Sequence, residues 1–411
     1  MQHPPHLLRA SARRRRLAPL GAALLLGWLG IAAALPACAP LTATAPVTTP
    51  VTTPATTATE TAPATAPPVA LAAAPASDLA ELDAYTLPLQ PEWTDPYRQS
   101  DLASDVRFFR ISKIMRDFGM SRFEAIEVQN HYRDLTAAGR DKLSAWRQAI
   151  AAVRAGQLGS GVDLAKLRAA PFIVVYDLDE TLYQVGYESG ARGPAWRDYL
   201  FDHRGKPSPA KLRAGWEQAI TRVHELGGLV ILFTARSDDV AESAVKDWTL
   251  NGKNIRQVVD GFCTKSHLIM QGKEEGFAVV VPSKDLRMFD EALERVIIVD
   301  DNPNRIVQHS RQRLVKKFQA DPYLAAKNQG ATAKDSPLIA SFEQTLPTVV
   351  AEVDESLSYL QTHPGKSFAK SFLPYTMLGQ VALSALQSAG MRPEAARKYI
   401  RDNPSYVDSA F

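Results

Sequence analysis

The sequence predicts an α/β fold, a parallel sheet flanked by helices, and three observations predict it. Short apolar, β-branched runs recur from position 172 onward: Phe172–Tyr176, Leu229–Phe233, Ala278–Val281 and Val296–Val299. Unbroken runs of this kind suit strands buried on both faces. Segments with helical spacing separate them, as at Pro209–Leu226 and Asp238–Leu250, and such alternation implies right-handed crossovers. Three of the runs stop at a residue able to carry chemistry, namely Asp177, Thr234 and Asp300. In open parallel sheets, sites form beyond the carboxyl ends of the strands.

The chain ahead of this core divides by composition. Arg13–Arg16 precede an apolar run from Leu17 to Ala37, which ends in Leu35-Pro36-Ala37-Cys38. A charged stretch followed by an apolar one is the pattern of a secretory signal. Its end resembles the bacterial lipoprotein box, in which the cysteine is lipidated, with Pro36 as a departure. That resemblance implies lipidation at Cys38 and a place in the bacterial cell envelope, lipid-anchored, on the periplasmic or extracellular side. The other reading is an ordinary signal or an uncleaved anchor, since the run is long enough to span a bilayer.

Residues 39–77 are nearly all Ala, Thr, Pro and Val, with Glu60 as the single charge. Such a stretch has little to bury and stays extended, reaching on the order of 100 Å as a tether. Residues 78–168 read as helical. Ser121-Arg-Phe-Glu124 fits a capping box, and a helix is expected from about Arg140 to a stop at Gly156. Residues 169–318 hold the α/β core. Residues 319–411 return to helix, with a start at Ser336-Pro337 and a run from Tyr375 to Gly390.

The net charge of +3 comes from the leader: without its five arginines, 42 basic residues stand against 44 acidic. A near-neutral body gives no electrostatic footprint for nucleic acid, and no such partner is expected. Of two cysteines, Cys263 remains for the body, in Val-Val-Asp-Gly-Phe-Cys, where a buried apolar role fits.

The chemistry concentrates in Asp177-Leu-Asp179-Glu-Thr-Leu182. Two carboxylates past a strand end can face one cleft if the chain bends there. One can attack phosphorus, and the other can protonate the leaving oxygen and then activate water. A bare Asp-x-Asp is weak evidence. Here Thr234 supplies a hydroxyl at a second strand end and Lys284 a positive charge. Asp300-Asp301-Asn302 add carboxylates suited to Mg²⁺, which prefers hard oxygen ligands.

This ordered set resembles the haloacid dehalogenase (HAD) superfamily, and its local phrases resemble the FCP/SCP-type phosphatase branch. The likeness covers about residues 170–318. It implies a HAD-like, Rossmannoid parallel sheet with helical N- and C-terminal extensions. It also implies an Mg²⁺-dependent phosphatase with Asp177 as nucleophile and Asp179 as acid/base. Thr234 and Lys284 would hold the phosphoryl oxygens. Mg²⁺ would be held by Asp177, the Asp179 carbonyl and the pair Asp300 and Asp301. The expected partners are a phosphorylated small molecule or phosphoprotein, and a membrane through the lipid anchor.

Several residues keep two readings. Arg236 either helps bind the substrate phosphate or forms a surface ion pair. Glu188, Trp196, Arg197 and His203 either line the entrance or simply pack. His224, His267 and His309 show no metal-ligand spacing and read as non-catalytic. The alternative function is a non-catalytic envelope scaffold on the same fold.

Overall fold

The computed structural model describes residues 78–87, 108–186, 196–270 and 282–408. The leader, Cys38, the tether, Glu188 and the apolar run Ala278–Val281 lie outside the described residues. No helix among the described residues is long and apolar enough to cross a membrane.

The strands, two-residue pairs aside, are β1 (Ile173–Tyr176), β2 (Tyr183–Val185), β3 (Tyr199–Asp202), β4 (Pro207–Leu212), β5 (Leu229–Phe233), β6 (Gly261–Cys263), β7 (Val296–Asp300) and β8 (Gln312–Leu314). The longer helices are α1 (Arg122–Ala137), α2 (Lys142–Arg154), α3 (Trp216–Glu225), α4 (Asp238–Lys246), α5 (Ala320–Asn328), α6 (Thr345–Thr362), α7 (Met377–Ser388) and α8 (Pro393–Asp402).

The main sheet runs β8-β7-β1-β5-β6, and every pairing is parallel. Because side chains alternate across a strand, each strand feeds two cores. Phe172, Val174, Tyr176, Val230, Leu232, Ile297 and Val299 face one side, with α3, α4 and α6. Ile173, Val175, Ile231, Phe233, Val296 and Ile298 face the other, with α1 and α2. Each such buried side chain contributes about 1.5–3 kcal/mol. The N-terminal helices thus form one of the two layers that make these strands apolar on both faces. Gly228, just before β5, permits close packing: a Cβ there would lie 2.3 Å from the Phe172 ring.

The helix signals fall close to expectation. Ser121 and Glu124 form a reciprocal capping box, α2 starts after Asp141, and Ser336 caps Pro337–Glu343. Thr376 caps α7, and Gly390 follows it in the left-handed region, at φ +92°.

Two expectations need correction. The segment from Pro209 to Leu226 is not one helix: Pro207–Leu212 is the central strand of a small antiparallel sheet, β2-β4-β3, and helix α3 begins only at Trp216. Backbone pairing to β2 on one side and β3 on the other holds this stretch in the sheet. The helix from Asp238 stops at Lys246 instead of Leu250, because Thr249–Leu250 pairs with Lys253–Asn254. The turn between them is Asn251-Gly252, both at positive φ, a strong hairpin signal. Pro282–Ser283 and Ile269–Met270 form a separate two-stranded antiparallel pair. The edges of the main sheet are β6 and β8, both too short for periodicity to expose.

Candidate active site

At the end of β1 the chain bends sharply. Asp177 N still bonds Val299 O at 2.9 Å, but Glu180 sits at φ +62°, and Leu182 N returns to Leu178 O at 2.9 Å. The bend brings Asp177 and Asp179 into one cleft of about 490 Å³, which also receives Lys284, Asp300, Asp301 and Arg236.

Lys284 is the electrostatic centre of the floor. It is 1% exposed, and its Nζ lies 2.6 Å from Asp177 Oδ1 and 2.7 Å from Asp300 Oδ2. Its backbone is pinned by Lys284 N to Arg305 O at 2.8 Å and Val307 N to Lys284 O at 3.0 Å. Burial pushes the Asp177 carboxyl well above the usual carboxylate range; Lys284 pulls it down, while Asp300 and Asp179 add repulsion. Burial works against the Lys284 charge too, but Asp177 and Asp300 outweigh it and raise this amine above its usual value. Asp301 is lifted to about 6 by burial and by Asp300.

Asp177, Asp300 and Asp301 each offer an oxygen, all within 4.8 Å of one another. Such crowding of carboxylates is costly without a cation, and hard oxygens in this number fit Mg²⁺. Among the described residues no histidine joins this group. His224 pairs with Asp260 at 2.8 Å, His267 Nε2 faces Glu127 at 3.4 Å, and His309 Nε2 lies 2.9 Å from Pro303 O.

The opposite wall is built from β5. Thr234 is fully buried; its Oγ1 donates to Asp179 Oδ2 at 3.2 Å and accepts from Arg236 N at 3.1 Å. Arg236 Nε contacts both Asp179 oxygens, at 2.7 and 2.8 Å. Of the two readings of Arg236, this geometry shows an ion pair, made to the second aspartate of the motif inside the cleft. His203 reaches the cleft, whereas Trp196 is buried and donates to Asp321 at 2.5 Å.

Sequence reasoning passed over several supports. Thr181 Oγ1 donates to Asp301 Oδ1 at 3.0 Å and accepts from Asp301 N at 3.1 Å, although it stands inside the first motif. Arg213, fully buried, donates to Thr181 O at 3.2 Å and to Thr345 Oγ1 at 2.9 Å, which ties the C-terminal helices to that loop. From the other layer, α1 clamps residues 264–268. Gln129 Nε2 donates to Ser266 O and Leu268 O at 2.8 and 2.9 Å, and Arg133 Nη1 to Ser266 O at 3.1 Å. A buried polar face on a helix was the available signal.

Residues 172–328 match the model of the family described as NLI interacting factor-like phosphatase. No curated protein matches the chain. Among solved structures, similarity is found to Fcp1, described as an essential RNA polymerase II CTD phosphatase, at 16% identity over 54% of this chain and 74% of that one, with a TM-score of 0.33. A single-residue variant of fission yeast Fcp1 bound to beryllium fluoride gives 13% identity, 58% and 72% coverage and a TM-score of 0.28. The N-terminal part of BF1531 from Bacteroides fragilis, a phosphatase domain complexed with Mg, gives 11%, 47% and 48%, and 0.20. With two aspartates past β1, a lysine between carboxylates and an acidic pair past β7, the segment that matches the NLI interacting factor-like phosphatase model is also the segment that builds this cleft.

Proposed function

We propose that the chain is an Mg²⁺-dependent phosphomonoester phosphatase that works through an aspartyl-phosphate, exported and held at a bacterial envelope membrane through Cys38. The observation that carries the catalytic reading is Lys284 between Asp177 and Asp300, with Asp301 beside them and Asp179 across the cleft.

Asp177 attacks phosphorus with a carboxylate oxygen, forming an O–P bond as the bond to the leaving oxygen breaks. Asp179 gives its proton to that oxygen. Asp179 then takes a proton from water, whose oxygen attacks phosphorus; the Asp177–phosphorus bond breaks, releasing phosphate and restoring the carboxylate. Thr234 and Lys284 bind the phosphoryl oxygens, each exchanging a carboxylate partner for one. Asp177, Asp300, Asp301 and the Asp179 carbonyl would hold Mg²⁺, which when bound neutralises phosphoryl charge. Arg236 leaves Asp179 for the incoming phosphate.

The test is hydrolysis of an aryl phosphate by the full chain, with Mg²⁺ and with EDTA, beside Asp177→Asn. Mg²⁺-dependent turnover lost in the variant supports the reading. A folded, Mg²⁺-binding chain with no turnover across pH 5 to 8 would favour the scaffold alternative.

A further inference from the structure

Arg213 follows β4, the central strand of the small sheet, and is 0% exposed. A buried guanidinium normally meets a carboxylate, because an unpaired charge is costly to take out of water. Among the described residues Arg213 forms no ion pair. Its donors go to neutral groups: Nη1 to Thr181 O at 3.2 Å, Nη2 to Thr345 Oγ1 at 2.9 Å and Nε to Phe342 O at 3.5 Å. The ring centroids of Phe318 and Phe342 lie 5.7 and 5.8 Å from the guanidinium carbon, which offsets part of the cost. Burial lowers its pKa to about 10, with Asp301 acting the other way, so the group stays charged at neutral pH. An apolar side chain of that length would fill the space without this cost.

The contacts of Arg213 lead to the acidic cluster by a short path. Its backbone N donates to Leu182 O at 2.8 Å, so the residue grips two successive carbonyls of the loop that carries Asp177 and Asp179. Thr181, itself fully buried, turns its hydroxyl on Asp301: Oγ1 donates to Oδ1 at 3.0 Å and accepts from Asp301 N at 3.1 Å. On the far side, Phe342 belongs to the helix Pro337–Glu343 and Thr345 opens α6. Both lie beyond residues 172–328, the segment that matches the phosphatase model. Arg213 thus joins the C-terminal helices to Asp301 through one residue, Thr181.

We propose that Arg213 is a positioning residue for Mg²⁺ binding, and that the C-terminal helices serve the site by seating it. Held by its carbonyl, Thr181 keeps its hydroxyl on Asp301, and Asp301 keeps its place in the cluster. This rests on the phosphatase reading above and deepens it by giving the C-terminal region a part in the metal site. A guanidinium that acted by charge alone would repel Mg²⁺, and its removal would tighten binding. A guanidinium that positions Thr181 gives the opposite sign.

Calorimetric titration of Mg²⁺ into the full chain at pH 8 compares wild type, Arg213→Met, Thr181→Val and the double variant, each checked for a cooperative melt. Arg213→Met is expected to weaken Mg²⁺ binding about tenfold. Because Arg213 works through Thr181, the double variant should stay near the loss of Thr181→Val alone and not reach about a hundredfold. Unchanged or tighter binding in folded Arg213→Met, or additive losses in the double variant, would overturn the proposal. Should Arg213→Met fail to fold, Thr345→Val decides. It keeps the charge and removes one acceptor of its seat, and Mg²⁺ binding should weaken about threefold; unchanged binding there overturns the proposal. The phosphatase reading fails separately. A wild-type chain that binds Mg²⁺ without hydrolysing an aryl phosphate counts against that reading, while the titrations still decide the role of Arg213. A wild-type chain that binds no Mg²⁺ overturns both.

Discussion

Replacing Lys284 by Met tests whether this lysine compensates the carboxylates of the floor. Its ammonium is 1% exposed and bonded to Asp177 and Asp300 at 2.6 and 2.7 Å. Met matches the stem in length, so packing survives, but two buried carboxylates are left facing each other. Breaking a buried pair in this way costs about 3–5 kcal/mol. At roughly 2 °C per kcal/mol for a chain of this size, the metal-free variant should melt about 6–10 °C below wild type at pH 8. The sign with pH follows from Asp177. Burial already raises its folded-state carboxyl well above the usual range, so the folded chain binds more protons than the unfolded one, and stability falls as pH rises. Removing the lysine raises this group further. The deficit should therefore shrink at pH 5, where protonation removes the repulsion. Mg²⁺ should stabilise the variant by more degrees than it stabilises wild type, since it supplies the missing charge. Scanning calorimetry at pH 5 and pH 8, with EDTA and with excess Mg²⁺, reads all three effects. Equal deficits at both pH values, or a variant as stable as wild type at pH 8, would refute the argument.

Other residues give sharp expectations. Thr181→Val removes the hydroxyl that holds Asp301, and Mg²⁺ affinity measured by calorimetry should fall about tenfold or more. With the Asp301 carboxyl at about 6 in the metal-free chain, binding must displace a proton below that pH. Mg²⁺ affinity should thus weaken by up to about tenfold per unit under pH 6 and level off above it; a flat profile would exclude Asp301 as a ligand. Glu127→Ala strands Gly159 N, Ser160 N and His267, which approach the carboxylate at 3.0, 3.2 and 3.4 Å, and should cost about 3–5 kcal/mol in chemical unfolding. Gly379→Ala sets a Cβ 1.7 Å from Leu373 O; it should lower the melting temperature although Ala favours helix by about 1 kcal/mol.

The main strands were legible because burial on both faces leaves an unbroken apolar run, as at Phe172–Tyr176 and Val296–Val299. Local signals also served for the capping box at Ser121 and the stop at Gly390, since the groups involved are neighbours in sequence. Positions 207–212 misled because two prolines in a central strand are explained by their partners, β2 and β3, and not by local preference. Cys263 read correctly as buried, but β6 itself was too short to show a period.

Asp177, Asp179, Lys284, Asp300 and Asp301 were chosen from sequence because each type stands at a recognisable break after or between apolar runs, and chemistry restricts what such a set can do. Their mutual distances came only with the fold, since parallel pairing of β1 with β7 brings 177 to 300 and a backbone bridge to Ile306 brings in 284. The bidentate Arg236–Asp179 pair and the Thr181 bridge belong to the same class. Sequence alone determined which residue types were available and where strands must end, because those depend on neighbours along the chain. Tertiary structure decided which charges face one another, because Coulomb energies depend on distance in space and on burial, and neither is written in sequence separation.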